Sequence, residues 1–258
     1  MFSYIKDWRR RRIIKRSHIT PAQWEAAYAR LPLLQRLSPQ ERHDLRDLAI
    51  LFLHEKSFSA AHGLVLTQHM LLIIALQACL PILHLGLDWY EGWSAIIVYP
   101  EGFVPRHTVM DEYGVVHQTQ DALSGEAWQQ GPIVLSWHDT EHAGELDGGN
   151  VVIHEFAHKL DMLNGAANGF PPLHPEMDAA KWASAFSAAY NHFQGQVHAG
   201  IPTGIDAYAS AAPAEFFAVM SEAFFERPEV VQATYPDVYE NLRQFYRQDF
   251  LAGYKQRV

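Results

Sequence analysis

Apolar and polar positions along this chain sort into helix-length segments, then short β-rich runs, then helix-length segments again. The segment "TPAQWEAAYARLP" opens with Thr20 at a helix N-cap and Pro21 at the first helical position. "SPQERHDLRDLAILFLHEKSF" repeats the device with Ser38 and Pro39. A third helix is expected from Gly63. The apolar stretch Leu64 to Gly86 approaches the length of a membrane span, but Gln68, His69, Gln77 and His84 interrupt it and Pro81 would kink it. A buried helix ending near Leu80 fits that pattern better. Three β-rich runs follow, "SAIIVYP", "GVVHQTQ" and "PIVLSWH", each bounded by turn residues. "GELDGGN" reads as a loop, with a helix starting at Asn150 or Val151. Further helices are expected in "DAAKWASAFSAAYNHF", "APAEFFAVMSEAFFERP" and "PDVYENLRQFYRQDF". Helices, a small sheet, then helices make an α+β fold. We expect one domain over residues 18–258, preceded by a basic segment over 1–17.

Composition narrows the class. The chain has 258 residues, 48% hydrophobic and 19% charged, which suits a globular domain with a real core. Its formal net charge of −9 argues against direct nucleic-acid binding. A single cysteine, Cys79, excludes an internal disulfide and a sulfur-rich metal finger. Against the acidic average, "KDWRRRRIIKRS" packs Lys6, Arg9, Arg10, Arg11, Arg12, Lys15 and Arg16 together. No apolar secretion signal follows it, so a cytoplasmic location is expected. The segment reads as a solvated, partly frayed basic helix, or as a contact for an acidic partner or a membrane surface.

The candidate chemistry lies in "VVIHEFAHKLDMLNG". On a helix, His154 and His158 stand one turn apart on one face, so both imidazoles can reach one metal ion. Glu155 points off that line, where it can reach a water. This is the H-E-x-x-H arrangement of zinc peptidases, in which the glutamate is the general base. Val151, Val152, Ile153, Phe156, Ala157, Leu160 and Leu163 make it a core helix, and polar groups buried there need compensation. The motif fixes only three positions, so a third ligand must complete it. The continuation H-x-x-G-x-x-H is excluded, because Asp161 and Asn164 stand at its glycine and histidine positions. A later glutamate remains, with Glu176, Glu215 and Glu222 as candidates. Asp161 shares the histidine face and can accept a hydrogen bond from an imidazole.

"HEFAHKLD" with "AYASAAPAEFFAVMSEAFFE", "LSPQERHDLRDLAILFLHEKSF" and "GPIVLSWHD" resembles the Mlc titration factor A family of bacterial zinc peptidases. Over a shorter stretch the chain is similar to the catalytic domain of anthrax lethal factor. The resemblance implies a zincin-like fold of the gluzincin type, with one zinc on His154, His158 and Glu215. It also implies Glu155 as general base and Tyr208 as a catalytic partner, and all five positions match. Beyond the site, it implies aminopeptidase-type activity on peptides. It further implies binding to the glucose repressor Mlc, and thereby an influence on the sugar phosphotransferase system. A helix opening after "AAPA" presents Glu215 from its first turn, while Glu222 lies two turns on, about 10 Å by the helical rise, too far to share the ion. "GPIVLSWHD" is a candidate sheet edge for pairing with an extended substrate. The alternative is a repressor-sequestering protein in which zinc is only structural.

Overall fold

The computed structural model describes residues 2–101, 107–110, 116–119, 125–127 and 131–251. In chain order, α1 (Phe2–Lys15), α2 (Pro21–Arg30) and α3 (Pro39–Glu55) precede β1 (Ser57–Ala60). Then come α4 (Gln68–Cys79), β2 (Ala95–Tyr99), β3 (His107–Met110), β4 (Val116–Thr119), β5 (Gly125–Ala127) and β6 (Ile133–Ser136). The remainder is α5 (Trp137–His142), α6 (Val151–Asp161), α7 (Ala179–His198), α8 (Pro213–Glu226), α9 (Pro228–Thr234) and α10 (Pro236–Tyr246). The fold is α+β, as expected.

The local signals work as their chemistry dictates. Thr20 and Ser38 both close capping boxes, each hydroxyl accepting from the N–H three residues on while that residue's side chain accepts from the cap N–H. The Leu64–Gly86 stretch holds α4, capped by Thr67 and ending at Cys79, with Met70 and Leu72 to Cys79 all buried. Among the described residues no helix is long and apolar enough to cross a membrane.

The sheet has the order β1-β2-β6-β5, with β1, β2 and β6 parallel and β5 antiparallel to β6. β3 and β4 form a separate antiparallel pair. Two expectations fail here. The helix expected to run through Phe58 stops at Glu55, and Ser57 begins a strand paired to Ala95. The buried Lys56 ammonium donates to the Tyr90 and Trp93 carbonyls, at 2.5 and 2.6 Å, which draws the chain out of the helix and onto the sheet. "GPIVLSWHD" is not an edge: β6 is paired on both sides, and among the described residues the strand beyond it, β5, is the edge that lies against α6. Of the expected run "GVVHQTQ", Val116 to Thr119 form β4; Gly114, Val115 and Gln120 lie outside the described residues.

The basic segment is also more ordered than a frayed helix. α1 is helical to Lys15, with Ile13 and Ile14 against the core and Lys6 paired to Asp88 and Glu91 at 2.8 Å each.

One aromatic-rich core supports the centre. Phe156 of α6 packs among Phe52, Tyr90 and Trp93, with ring centroids 5.1–5.7 Å away. Full burial of such a ring contributes about 2–3 kcal/mol. On α8, Phe216, Phe217 and Phe224 are fully buried. α6 and α8 pack directly against each other, so each helix turns its polar residues toward the same place.

Candidate metal centre

α6 begins at Asn150, whose side-chain oxygen accepts the Ile153 N–H at 3.0 Å. One turn into the helix, the His154 and His158 rings meet edge to face with centroids 4.8 Å apart, as neighbours at i and i+4. α8 begins at Pro213, which puts Glu215 in its first turn. The result is a triangle of donor atoms. His154 Nε2 lies 3.0 Å from Glu215 Oε2, His158 Nε2 lies 3.3 Å from the same oxygen, and the two Nε2 atoms are 3.1 Å apart. Tetrahedral sites with bonds of about 2.0–2.1 Å hold neighbouring ligands about 3.3 Å apart. Two imidazole nitrogens and one carboxylate oxygen at these separations fit a divalent transition-metal ion.

The electrostatics point the same way. Burial opposes charge on Glu215, but hydrogen bonds from the two imidazoles outweigh it and bring the carboxyl down to about 2. Burial would lower His154, yet the Glu222 and Glu215 carboxylates hold it well above its ordinary value. The Glu215 and Glu222 carboxylates thus favour positive charge at His154, and a metal ion can supply that charge instead.

Glu222 does not join the triangle. It accepts the His154 Nδ1–H at 2.7 Å and also the backbone N–H of Asn150. The carboxylate fixes which His154 nitrogen is free to face a metal. Asn150 is the hub behind it. Its side-chain amide donates to Gln77 Oε1 at 2.8 Å and to Glu226 Oε1 at 2.9 Å. Glu226 in turn accepts the Leu146 N–H at 2.7 Å, which ties the loop before α6 to the end of α8. Every polar group of the Asn150 side chain and its N–H is therefore engaged.

Asp161 takes a different role from the one expected. It is fully buried and accepts no imidazole hydrogen bond; its Oδ2 accepts from Asn168 and Gly169 N–H groups, at 2.8 and 2.7 Å. Gly169 has φ +79°, and a Cβ there would come within 2.5 Å of the Pro213 carbonyl. Asp161 thus clamps a loop against the first turn of α8, the turn that carries Glu215. Glu176, the other sequence candidate, is remote and exposed, paired to Arg247 at 2.6 Å.

Glu155 and Tyr208 line one cleft of about 390 Å³ together with His154. Glu155 is buried to 3% exposure. Tyr208 sits on a short 3₁₀ turn capped by Asp206, half exposed, its ring 6.1 Å from that of His154. Asp139, Asp147 and Asp206 make the rest of the cleft acidic. Lys159, buried beside this centre, donates to the Gly131 carbonyl at 3.0 Å; burial lowers it to about 8 against the attraction of Glu155. Sequence reading missed Asn150 as a hub, Gln77, Glu226 and Lys159. The spacing of Glu222 and Glu226, one turn apart on an apolar helix, was the available signal for Glu226.

Comparison with known proteins agrees with this geometry. Residues 5–247 match the family described as glucose-regulated metallo-peptidase M90. Proteins named Mlc titration factor A from Yersinia pestis (strain Pestoides F) and Yersinia pseudotuberculosis (serotypes O:1b and O:3) are each 41% identical over 237 residues, spanning 91% of this chain and 87% of theirs. This chain belongs to the glucose-regulated metallo-peptidase M90 family.

Proposed function

We propose that the chain is a single-zinc peptidase, with His154, His158 and Glu215 as ligands, Glu155 as general base and Tyr208 as oxyanion donor. The observation that carries this reading is the donor triangle on two packed helices, with Glu155 on the same helix and Tyr208 across the same cleft. Zinc, when bound, supplies Lewis acidity that makes water a nucleophile near neutral pH and polarises a peptide carbonyl. Glu155 accepts the proton of the attacking water and returns it to the leaving amine. The Tyr208 phenol donates to the oxygen on which charge develops. Glu222 holds the His154 ring so that Nε2, not Nδ1, faces the centre. The edge of β5, beside α6, is where an extended peptide can add as a further strand.

Aminopeptidase-type activity belongs to the same proposal, as do a cytoplasmic location and binding of the repressor Mlc with an influence on the sugar phosphotransferase system. The repressor reading is supported by the name of the relatives, which speaks of titrating Mlc. That name also supports a second reading, in which the chain sequesters the repressor and zinc serves only structure. Glu155→Gln separates the two. We expect it to keep the metal, to lower peptide turnover by about 10²–10⁴-fold, and to leave Mlc affinity near wild type. Unchanged turnover in a metal-replete variant would refute the assigned base, and no peptide cleavage by the metal-loaded wild type would favour the second reading.

A further inference from the structure

α1 carries a surface that the metal centre does not use. Its inner face is committed to the molecule: Lys6 and Arg10 pair with Asp88, Lys6 also with Glu91, and Ile13 and Ile14 pack on the core. That docking fixes which residues look outward. Tyr4, Trp8, Arg11, Arg12 and Lys15 recur at i, i+4, i+7, i+8 and i+11, a single helical face, with Arg16 at its end. Tyr4 is 74% and Trp8 52% exposed, among the largest apolar side chains left in water. The Arg12 guanidinium sits 5.4 Å over the Trp8 ring.

The charge is as one-sided as the shape. Residues 6–16 hold seven of the chain's 20 Lys and Arg, although the whole chain carries −9. An acidic body is repelled by any anionic surface, so such a surface can be approached only with α1 in front. Among polyanions, the aromatic pair selects a bilayer. Trp and Tyr settle at the headgroup level, where the ring is buried and its polar edge stays wet, while Lys and Arg alongside meet anionic headgroups. A soluble polyanion would use the cations and gain little from two aromatics spaced along the helix.

We propose that the outer face of α1 is a docking surface for anionic phospholipid bilayers, on which the helix lies flat and carries the metal centre to the membrane surface. The attachment is peripheral and reversible, since it combines two aromatic anchors with four cations and no long apolar face.

Co-sedimentation of the full chain with vesicles tests this. Phosphatidylcholine vesicles containing phosphatidylglycerol should bind it at low salt and release it at high salt, and pure phosphatidylcholine should not bind it. Arg11→Glu/Arg12→Glu/Lys15→Glu should weaken binding by roughly 100-fold or more. Tyr4→Ala/Trp8→Ala, which leaves every charge in place, should weaken it by roughly tenfold. Circular dichroism checks that α1 survives; if the Glu variant unfolds it, the Gln versions of the same three positions carry the charge test. Absent binding to the phosphatidylglycerol vesicles, or binding unaltered by the charge variants, would overturn the proposal. So would heparin binding as tight as vesicle binding with no effect of the aromatic pair, which would assign the face to a soluble acidic macromolecule.

Discussion

α8 and α1 both carry charged side chains, and they place them in opposite surroundings. On α8, Glu215, Glu222 and Glu226 sit in an otherwise apolar helix, and each meets named partners: two imidazoles, the other imidazole nitrogen with an N–H, and an amide with an N–H. On α1, Lys6 and Arg10 meet carboxylates at the surface and the remaining cations face water. Desolvating a lone charge costs several kcal/mol, so a buried carboxylate persists only where its partners are already in place. An exposed charge costs almost nothing, so its position says little about internal stability and more about what lies outside. The comparison teaches that polar residues on α8 are constrained from within, whereas those on α1 answer to the solvent side.

The sharpest way to break this contrast is at Glu215. Glu215→Ala should lose the metal and abolish peptide cleavage, whereas Glu176→Ala, at an exposed ion pair, should do neither. Metal stoichiometry by mass spectrometry decides it, and full metal content in Glu215→Ala would overturn the ligand set.

Next is Glu226, which burial lifts to about 7 although Asn150 and Leu146 donate to it. The folded protein therefore keeps this proton over a range in which the unfolded chain, with an ordinary glutamate, has released it. Stability should fall as pH rises from about 4.5 to about 7, by roughly 3 kcal/mol from this group. Urea melts of the metal-loaded protein across that range should show the slope, and Glu226→Gln should flatten it. An unaltered slope would mean that Glu226 ionises normally.

Glu222→Gln should weaken metal affinity by about 10–100-fold, the usual effect of losing a carboxylate behind a ligating histidine. Competition with a chelator measures this, and unchanged affinity would show that Asn150 and the helix backbone alone orient His154. The smallest effect belongs to α1. Lys6→Ala/Arg10→Ala should change stability by less than about 1 kcal/mol, and by less again in high salt. A larger loss in the same urea melts would show that the contrast between the helices is one of degree.

Much of the helical part was legible because helix signals are local. Thr20–Pro21, Ser38–Pro39 and Asn150 announce their helices by capping chemistry that needs only neighbouring residues. β1 was not legible, because the chain leaves the helix at Lys56 for a reason that lies 37 residues on, at the Trp93 carbonyl that holds its ammonium. The position of β6 within the sheet was likewise hidden, since the partner on its far side, β5, is a three-residue strand.

That His154 and His158 share a helix face with Glu155 beside them follows from residue order alone, because helical spacing is a property of the backbone. Residue order also narrowed the third donor to a few glutamates. The choice among them rests on how the helices pack. Glu176 and Glu215 stand alike near helix starts, but α8 packs against α6 while Glu176 faces Arg247 in solvent. The same holds for Asp161 and Glu222. Which of the two reaches an imidazole depended on a few ångströms. The clamp of Asp161 on the Gly169 loop, and the closeness of that loop to Pro213, set α8 where Glu222 meets His154 and Glu215 completes the triangle. Distances of that kind come from packing between helices far apart in the chain, which no local pattern encodes.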